Sequence, residues 1–224
     1  MEPVRHAHGI DITKDDLQLD IDAMIDNRVV TLRHVRQNSL FKIYAQVERQ
    51  MRAFFDENSF TQITTPKLIG FPTEGGAEVF ELNYFEKKAW LAQSPQFYKQ
   101  MMVPVFERVY EIGKAYRAEK SNSSRHLSEI LMLDVEMGFI DFEYLMDFIS
   151  RFVKTVVEKT RAESKDALEL VGAIPPLLID KIPRISVTEL HEQYFQATGE
   201  DLRAEGDISS AEEKFICDYS ATHR

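Results

Sequence analysis

Several residues between positions 74 and 136 have the types and spacing to handle charged groups. Arg117 and Glu119 alternate in YRAE, and Asp134 and Glu136 alternate in MLDVEMGFI. A period of two puts Met132, Asp134, Glu136 and Gly138 on one face of a strand, opposite Leu131, Leu133, Val135 and Met137. Charges facing into a sheet are costly unless they pair with each other or meet a charged ligand. Arg117 is always protonated, and its fork of donors matches phosphate; an ion pair with Glu119 is the plainer use of it. Gln96 and Lys99 are three apart and share a helix face. A helical lysine is most often simply solvated. Glu74 precedes Gly75-Gly76. It is an ordinary loop carboxylate, or part of a ligand site that glycine lets the backbone approach closely.

The elements that must position these residues follow from periodicity and punctuation. Met1 to Ile25 is polar and irregular, an entry segment or linker. Ser39 is placed to cap a helix running to about Glu57, with Leu40, Phe41, Ile43, Tyr44, Val47, Met51, Phe54 and Phe55 at helical spacing. Phe60 to Thr65 is β-branched and short, a strand that Pro66 ends. The alternating AEVFELNYF and the run AWLAQ flank a turn at Glu86 to Lys88. Ser94 and Pro95 open the helix carrying Gln96 and Lys99, with Phe97, Met101 and Met102 toward a core. Phe106 to Ala118 is the next strand, joined through the polar Lys120 to Arg125 turn to the strand of Asp134. Asp141 caps a helix to about Arg161. Ser164 to Asp180 is mixed, with Pro175-Pro176. A short helix ends at Gln196, Gly199 turns, and Ser209-Ser210 cap a helix from Ala211 to about Tyr219. The fold class expected is α+β, an antiparallel sheet flanked by helices.

The totals exclude several classes. The 224 residues, 44% of them hydrophobic, are enough for one large domain with a core. A net charge of −10 argues against a generic nucleic-acid binder, whose affinity rests on phosphate neutralisation. One cysteine, Cys217, excludes an internal disulfide and a cysteine-rich zinc site and fits a reducing cytoplasm. No apolar run reaches bilayer length, so no membrane partner is expected. Neither internal repeats nor low-complexity tracts occur.

YRAEKSNSSRHLSEI, with an acidic strand after it, resembles motif 2 of the class II aminoacyl-tRNA synthetases. EGGAEVF and LAQSPQFYKQ are similar, more narrowly, to the aspartyl-tRNA synthetases of archaeal and eukaryotic type, in the Asp/Asn/Lys subgroup. The stretch from Asp26 resembles the family's entry to its catalytic domain, and the helix–strand–proline unit ending at Pro66 resembles motif 1, the dimer interface. The resemblance implies a catalytic domain over 26–224 after an entry segment 1–25. It also implies ATP-dependent activation of L-aspartate, transfer to tRNA, and a homodimer. It assigns Glu74, Gln96, Lys99, Arg117 and Asp134 to aspartate. Glu74 would accept from its ammonium group, which has only donors; Lys99 would pair with its side-chain carboxylate, which favours aspartate over neutral asparagine. It assigns Arg117, Glu119, Arg125, His126, Leu127 and Ile130 to ATP, with Arg117 and His126 catalytic. Lys120, Ser121, Asn122, Ser123 and Ser124 would face the tRNA acceptor end. Ile130 stands where the family usually stacks a phenylalanine on adenine, forgoing roughly 0.5–1.5 kcal/mol of aromatic contact. Leu131 replaces a commonly aromatic neighbour.

Motif 3, a glycine-rich strand and helix ending in an arginine, has no counterpart: GEDLR at 199–203 lacks the second glycine and the apolar strand. The expectation is therefore a chain cut within the catalytic domain, or a short paralogue. The ligands for ATP-borne Mg²⁺ would lie past residue 224, with no metal site in this chain. Other readings stay open. One is an aspartyl-adenylate former that passes its product to ammonia. Another is a non-catalytic binding or dimerisation module, and a third is an asparaginyl enzyme.

Overall fold

The computed structural model describes residues 9–72, 79–118 and 127–222. Glu74, Glu119, and Lys120 to His126 lie outside them. The chain forms two units, one through Leu177 and one from Leu178.

The first unit starts with α1 (Ile21–Asp26), whose N-cap Asp20 accepts from the Ala23 amide, and α2 (Arg28–Thr31). Helical structure thus begins inside the segment read as linker. The helix α3 (Val35–Glu57) begins four residues before the Ser39 cap expected for it. His34, in extended conformation, takes the N-cap position. Its buried ring binds the Lys14 carbonyl at 2.7 Å, and Ser39 is buried within the helix instead.

Two three-stranded sheets follow. The first has the order β1-β5-β6, from β1 (Thr61–Gln62), β5 (Arg108–Tyr116) and β6 (Glu129–Met137). β5 and β6 are antiparallel, as the hairpin reading requires, but β1 runs parallel to β5. The second has the order β2-β4-β3, from β2 (Leu68–Ile69), β3 (Glu81–Tyr84) and β4 (Lys87–Leu91), all antiparallel. Between β4 and β5 lies α4 (Gln96–Phe106). It continues through Pro104 into residues expected to open the strand, and Glu107, at φ 61°, turns the chain directly into β5. After β6 come α5 (Phe142–Glu163), capped by Asp141 through the Tyr144 amide at 2.7 Å, and α6 (Lys165–Val171), which Gly172 closes in left-handed conformation.

The core lies between α3, α5 and one face of β5–β6. Phe54, Phe55, Phe60, Tyr110 and Phe148 are buried there, with Ile112, Leu133, Val135, Met137 and Phe152 against them. Phe55 stacks on Tyr110 at 4.8 Å. The Tyr110 hydroxyl sits 3.1 Å from Asp56 Oδ1 and 3.2 Å from Gln62 Oε1. Burial, and then the Asp56 charge, push its pKa up to about 12.

The second unit contains α7 (Val187–Thr198) and α8 (Ser210–Thr222). Ser186 and Glu189 form a reciprocal capping box, and Gly199 is the left-handed C-cap. His191 and Glu212, both buried, bond to each other across the two helices. Burial alone would raise the Glu212 pKa, but donors from Ser209 and His191 outweigh it and hold the carboxyl below its usual range.

Candidate active site

The β5–β6 register decides which charged side chains share a face. Glu111 is opposite Asp134, Val109 opposite Glu136, Gly113 opposite Met132 and Ala115 opposite Ile130. Just past the last ladder pair, the Arg117 amide donates to the Ser128 carbonyl at 3.0 Å. Directly opposed residues in an antiparallel pair project to the same side. Arg117, Glu111, Asp134, Glu136 and Ile130 therefore stand on the face away from the phenylalanine core.

Helix α4 covers the Asp134 end of that face and lowers Lys99 onto it. Lys99 is buried, only 4% exposed. Its ammonium bonds Asp134 Oδ1, lies 3.2 Å from Glu136 Oε2, and reaches the Val135 carbonyl at 3.4 Å. An ammonium has three protons, and here three acceptors of the chain itself answer them. An incoming carboxylate must displace one of them, and Val135 and Glu136 are the more distant. The solvated-lysine reading is excluded. Gln96 opens α4 one residue later than expected: Pro95 is the cap residue, and Ser94 Oγ accepts from the Gln96 amide at 3.3 Å.

One participant has no counterpart among the residues singled out from the sequence. Glu111 is buried and accepts the Thr65 amide at 2.9 Å and the Thr65 hydroxyl at 2.7 Å. Lys67 Nζ lies 2.9 Å from Glu111 Oε2 and 3.0 Å from Thr65 Oγ. Gly113 permits this: a Cβ there would come within 3.0 Å of Glu111 Oε1. The available signal was the parity of Glu111 with Arg117, and a lysine just after Pro66.

The segment 61–69 crosses from one sheet to the other at this clasp. Ile63 donates to the Tyr110 carbonyl at 2.8 Å, beside β5; Ala92 donates to the Lys67 carbonyl at 2.9 Å, at the end of β4. Ala92 in turn accepts from the Tyr116 amide at 3.0 Å. Pro66 itself is exposed. Next to Ala92, the Gln93 side chain is buried with neither amide atom bonded.

Of the residues assigned from the sequence, the structure joins Lys99 with Asp134 and places Gln96 three residues from Lys99 on α4. Arg117 and Leu127 are exposed and Ile130 half-buried at the opposite end of β5–β6. The catalytic, ATP and tRNA assignments to Glu74, Glu119, Lys120 to Ser124, Arg125 and His126 lie outside the described residues. Among the described residues, no three His, Cys, Asp or Glu side chains gather as metal donors, and no helix is long and apolar enough to cross a membrane.

The family model of class II tRNA synthetases for D, K and N matches residues 20–224. The chain is 39% identical to an aspartate–tRNA(Asp/Asn) ligase of Deinococcus radiodurans, over 96% of this chain and 49% of that one. It is 38% identical to an aspartate–tRNA(Asp) ligase of Pyrococcus abyssi, over 91% and 47%. The fold resembles that of asparaginyl-tRNA synthetase from Pyrococcus horikoshii, complexed with asparaginyl-adenylate. The TM-score is 0.78 at 27% identity, covering 90% of this chain and 47% of that one. For aspartyl-tRNA synthetase from Entamoeba histolytica the TM-score is 0.77 at 26% identity, with 94% and 40% covered. The chain thus spans about half the length of the curated relatives it matches.

Proposed function

Because the chain belongs to the class II tRNA synthetases of the D, K and N group, we propose that it forms part of an enzyme that activates L-aspartate and transfers it to tRNA. The observation carrying this reading is the buried Lys99 ammonium between Asp134 and Glu136, on the sheet face that also bears Arg117. A buried cation beside carboxylates suits an amino acid that brings both charges. A guanidinium farther along the same face suits the phosphate it must meet.

In the first step an α-carboxylate oxygen of aspartate attacks the α-phosphorus of ATP, and the bond from that phosphorus to the α,β-bridging oxygen breaks, releasing pyrophosphate. In the second, a ribose hydroxyl of tRNA attacks the mixed anhydride and AMP leaves. ATP enters as its magnesium salt. No protein nucleophile is required; positioning and charge stabilisation carry the rate. Lys99 and Gln96 hold aspartate with Glu74, the substrate carboxylate taking the place of Val135 or Glu136 at Lys99. Asp134 stays on Lys99 through Oδ1 and offers its other oxygen to the substrate ammonium. Arg117 and His126 stabilise the reacting phosphate, with Glu119, Arg125, Leu127 and Ile130 around the nucleotide. Lys120 to Ser124 meet the acceptor end. The setting is the cytoplasm. A homodimer forms around Pro66 and α3, a helix that leaves Leu40, Phe41 and Tyr44 about half exposed on one side.

The test is aspartate-dependent exchange of pyrophosphate into ATP by the protein as encoded. Exchange should appear with aspartate and vanish in Arg117→Ala. Exchange that survives this substitution contradicts the assignment. A second reading, asparagine as substrate, draws on the two carboxylates that already balance Lys99; exchange supported by asparagine and not by aspartate would establish it.

A further inference from the structure

We propose that Lys67, acting through Glu111, is a positioning residue that sets the charge of the amino-acid site and with it the preference for an acidic over a neutral substrate. The inference rests on the reading of that site as one for aspartate. Glu111 and Asp134 are directly opposed in the ladder, on one face. Opposed side chains have Cβ atoms only about 4.5–5.5 Å apart, and like charges there repel. The structure answers each carboxylate with its own lysine, Lys67 on Glu111 and Lys99 on Asp134. With Glu136 included, three carboxylates face two ammonium groups.

This balance is fine enough for one charge to matter. Without Lys67, the buried Glu111 anion would keep only its two donors from Thr65. The face would then carry a further uncompensated negative charge directly across the ladder from Asp134, the partner of Lys99. For a separation of about 10 Å at an effective dielectric near 20, that corresponds to about a tenfold loss of affinity for an anionic side chain. A neutral side chain of the same shape would lose almost nothing. Lys67 touches neither substrate in this scheme. Its stem leaves the segment that crosses between the sheets, and Thr65 binds the same carboxylate, so charge and backbone position are fixed together.

The test measures dissociation constants of L-aspartate, and of L-asparagine as its competitor, by titration calorimetry on the protein as encoded. Lys67→Met should weaken aspartate about tenfold and asparagine less than twofold. Lys67→Arg should restore aspartate binding. Lys67→Met combined with Glu111→Gln should bring aspartate back to within about threefold of the unaltered protein. A merely structural role predicts instead that both amino acids weaken together and that the double variant is worse than the single one. Either of those results overturns the inference alone. Failure of the unaltered protein to bind either amino acid removes the functional reading and the inference with it.

Discussion

Lys99→Met is the most direct probe of the site's architecture. Methionine keeps the unbranched stem on α4 and removes the ammonium, leaving two carboxylates where the chain had balanced them. The side chain of Lys99 is 5% exposed and that of Asp134 16%, so this pair is buried; the Glu136 side chain, at 31%, regains water easily. Breaking a buried pair by removing one partner costs about 3–5 kcal/mol, because the remaining charge is stranded. With Glu136 partly relieved by solvent, the lower end applies, about 3 kcal/mol. At about 2–4 °C per kcal/mol for a unit of this size, that is a fall in Tm of roughly 6–12 °C. Trp90, the chain's single tryptophan, lies in β4 and reports unfolding of the first unit by fluorescence in urea. Asp134→Asn added to Lys99→Met should recover at least about 1.5 kcal/mol, since neutralising both partners removes the stranded charge. A Lys99→Met protein within about 0.5 kcal/mol of the original, or a double variant showing simple additivity, would refute the buried-pair argument.

Tyr110 should ionise late, near pH 12, in a spectrophotometric titration, and Tyr110→Phe should delete a step there. Its pKa is raised on folding, so its contribution to stability is complete below about pH 10 and is lost as pH climbs toward 12; Tyr110→Phe should flatten that alkaline decline. Gly138→Ala should destabilise the first unit by about 1–3 kcal/mol in the same urea assay, because its Cβ would lie 2.6 Å from Val103 Cγ1. Val103→Ala should reverse most of that loss. The carboxyl of Asp201, held at about 2 by hydrogen bonds from Arg203, should return toward 4 in Arg203→Gln when followed by carboxyl carbon NMR. Its contribution is present above the unfolded value and lost as pH falls toward 2.

The β5–β6 hairpin was legible because burial on one face and charge on the other both demand period two, and the ladder Arg108↔Met137 to Tyr116↔Glu129 has that parity. The cap at Asp141 and the turn at Gly199 were legible because each rests on a short-range bond between residues a few positions apart; the Ser186 cap, equally local, was not singled out. Long-range features were not. The start of α3 is set by His34 binding the carbonyl of Lys14, twenty residues away. The parallel pairing of β1 with β5 depends on a partner 48 positions along the chain, which local pattern does not specify. Lys99 was singled out, but its companions on β6 emerge only when α4 packs on the sheet. Glu111 was overlooked because a carboxylate in an apolar strand announces a need without saying which residue meets it.

Ala92 spends its amide on Lys67 and its carbonyl on Tyr116. One residue thus fastens both sheets, at the root of the segment leading into α4. The two sheets cannot separate without freeing a backbone donor and a backbone acceptor at a position only 2% exposed to water. They should consequently melt as one cooperative block rather than as two hairpins, with the amides of Ala92 and Tyr116 surrendering deuterium protection at the same denaturant concentration.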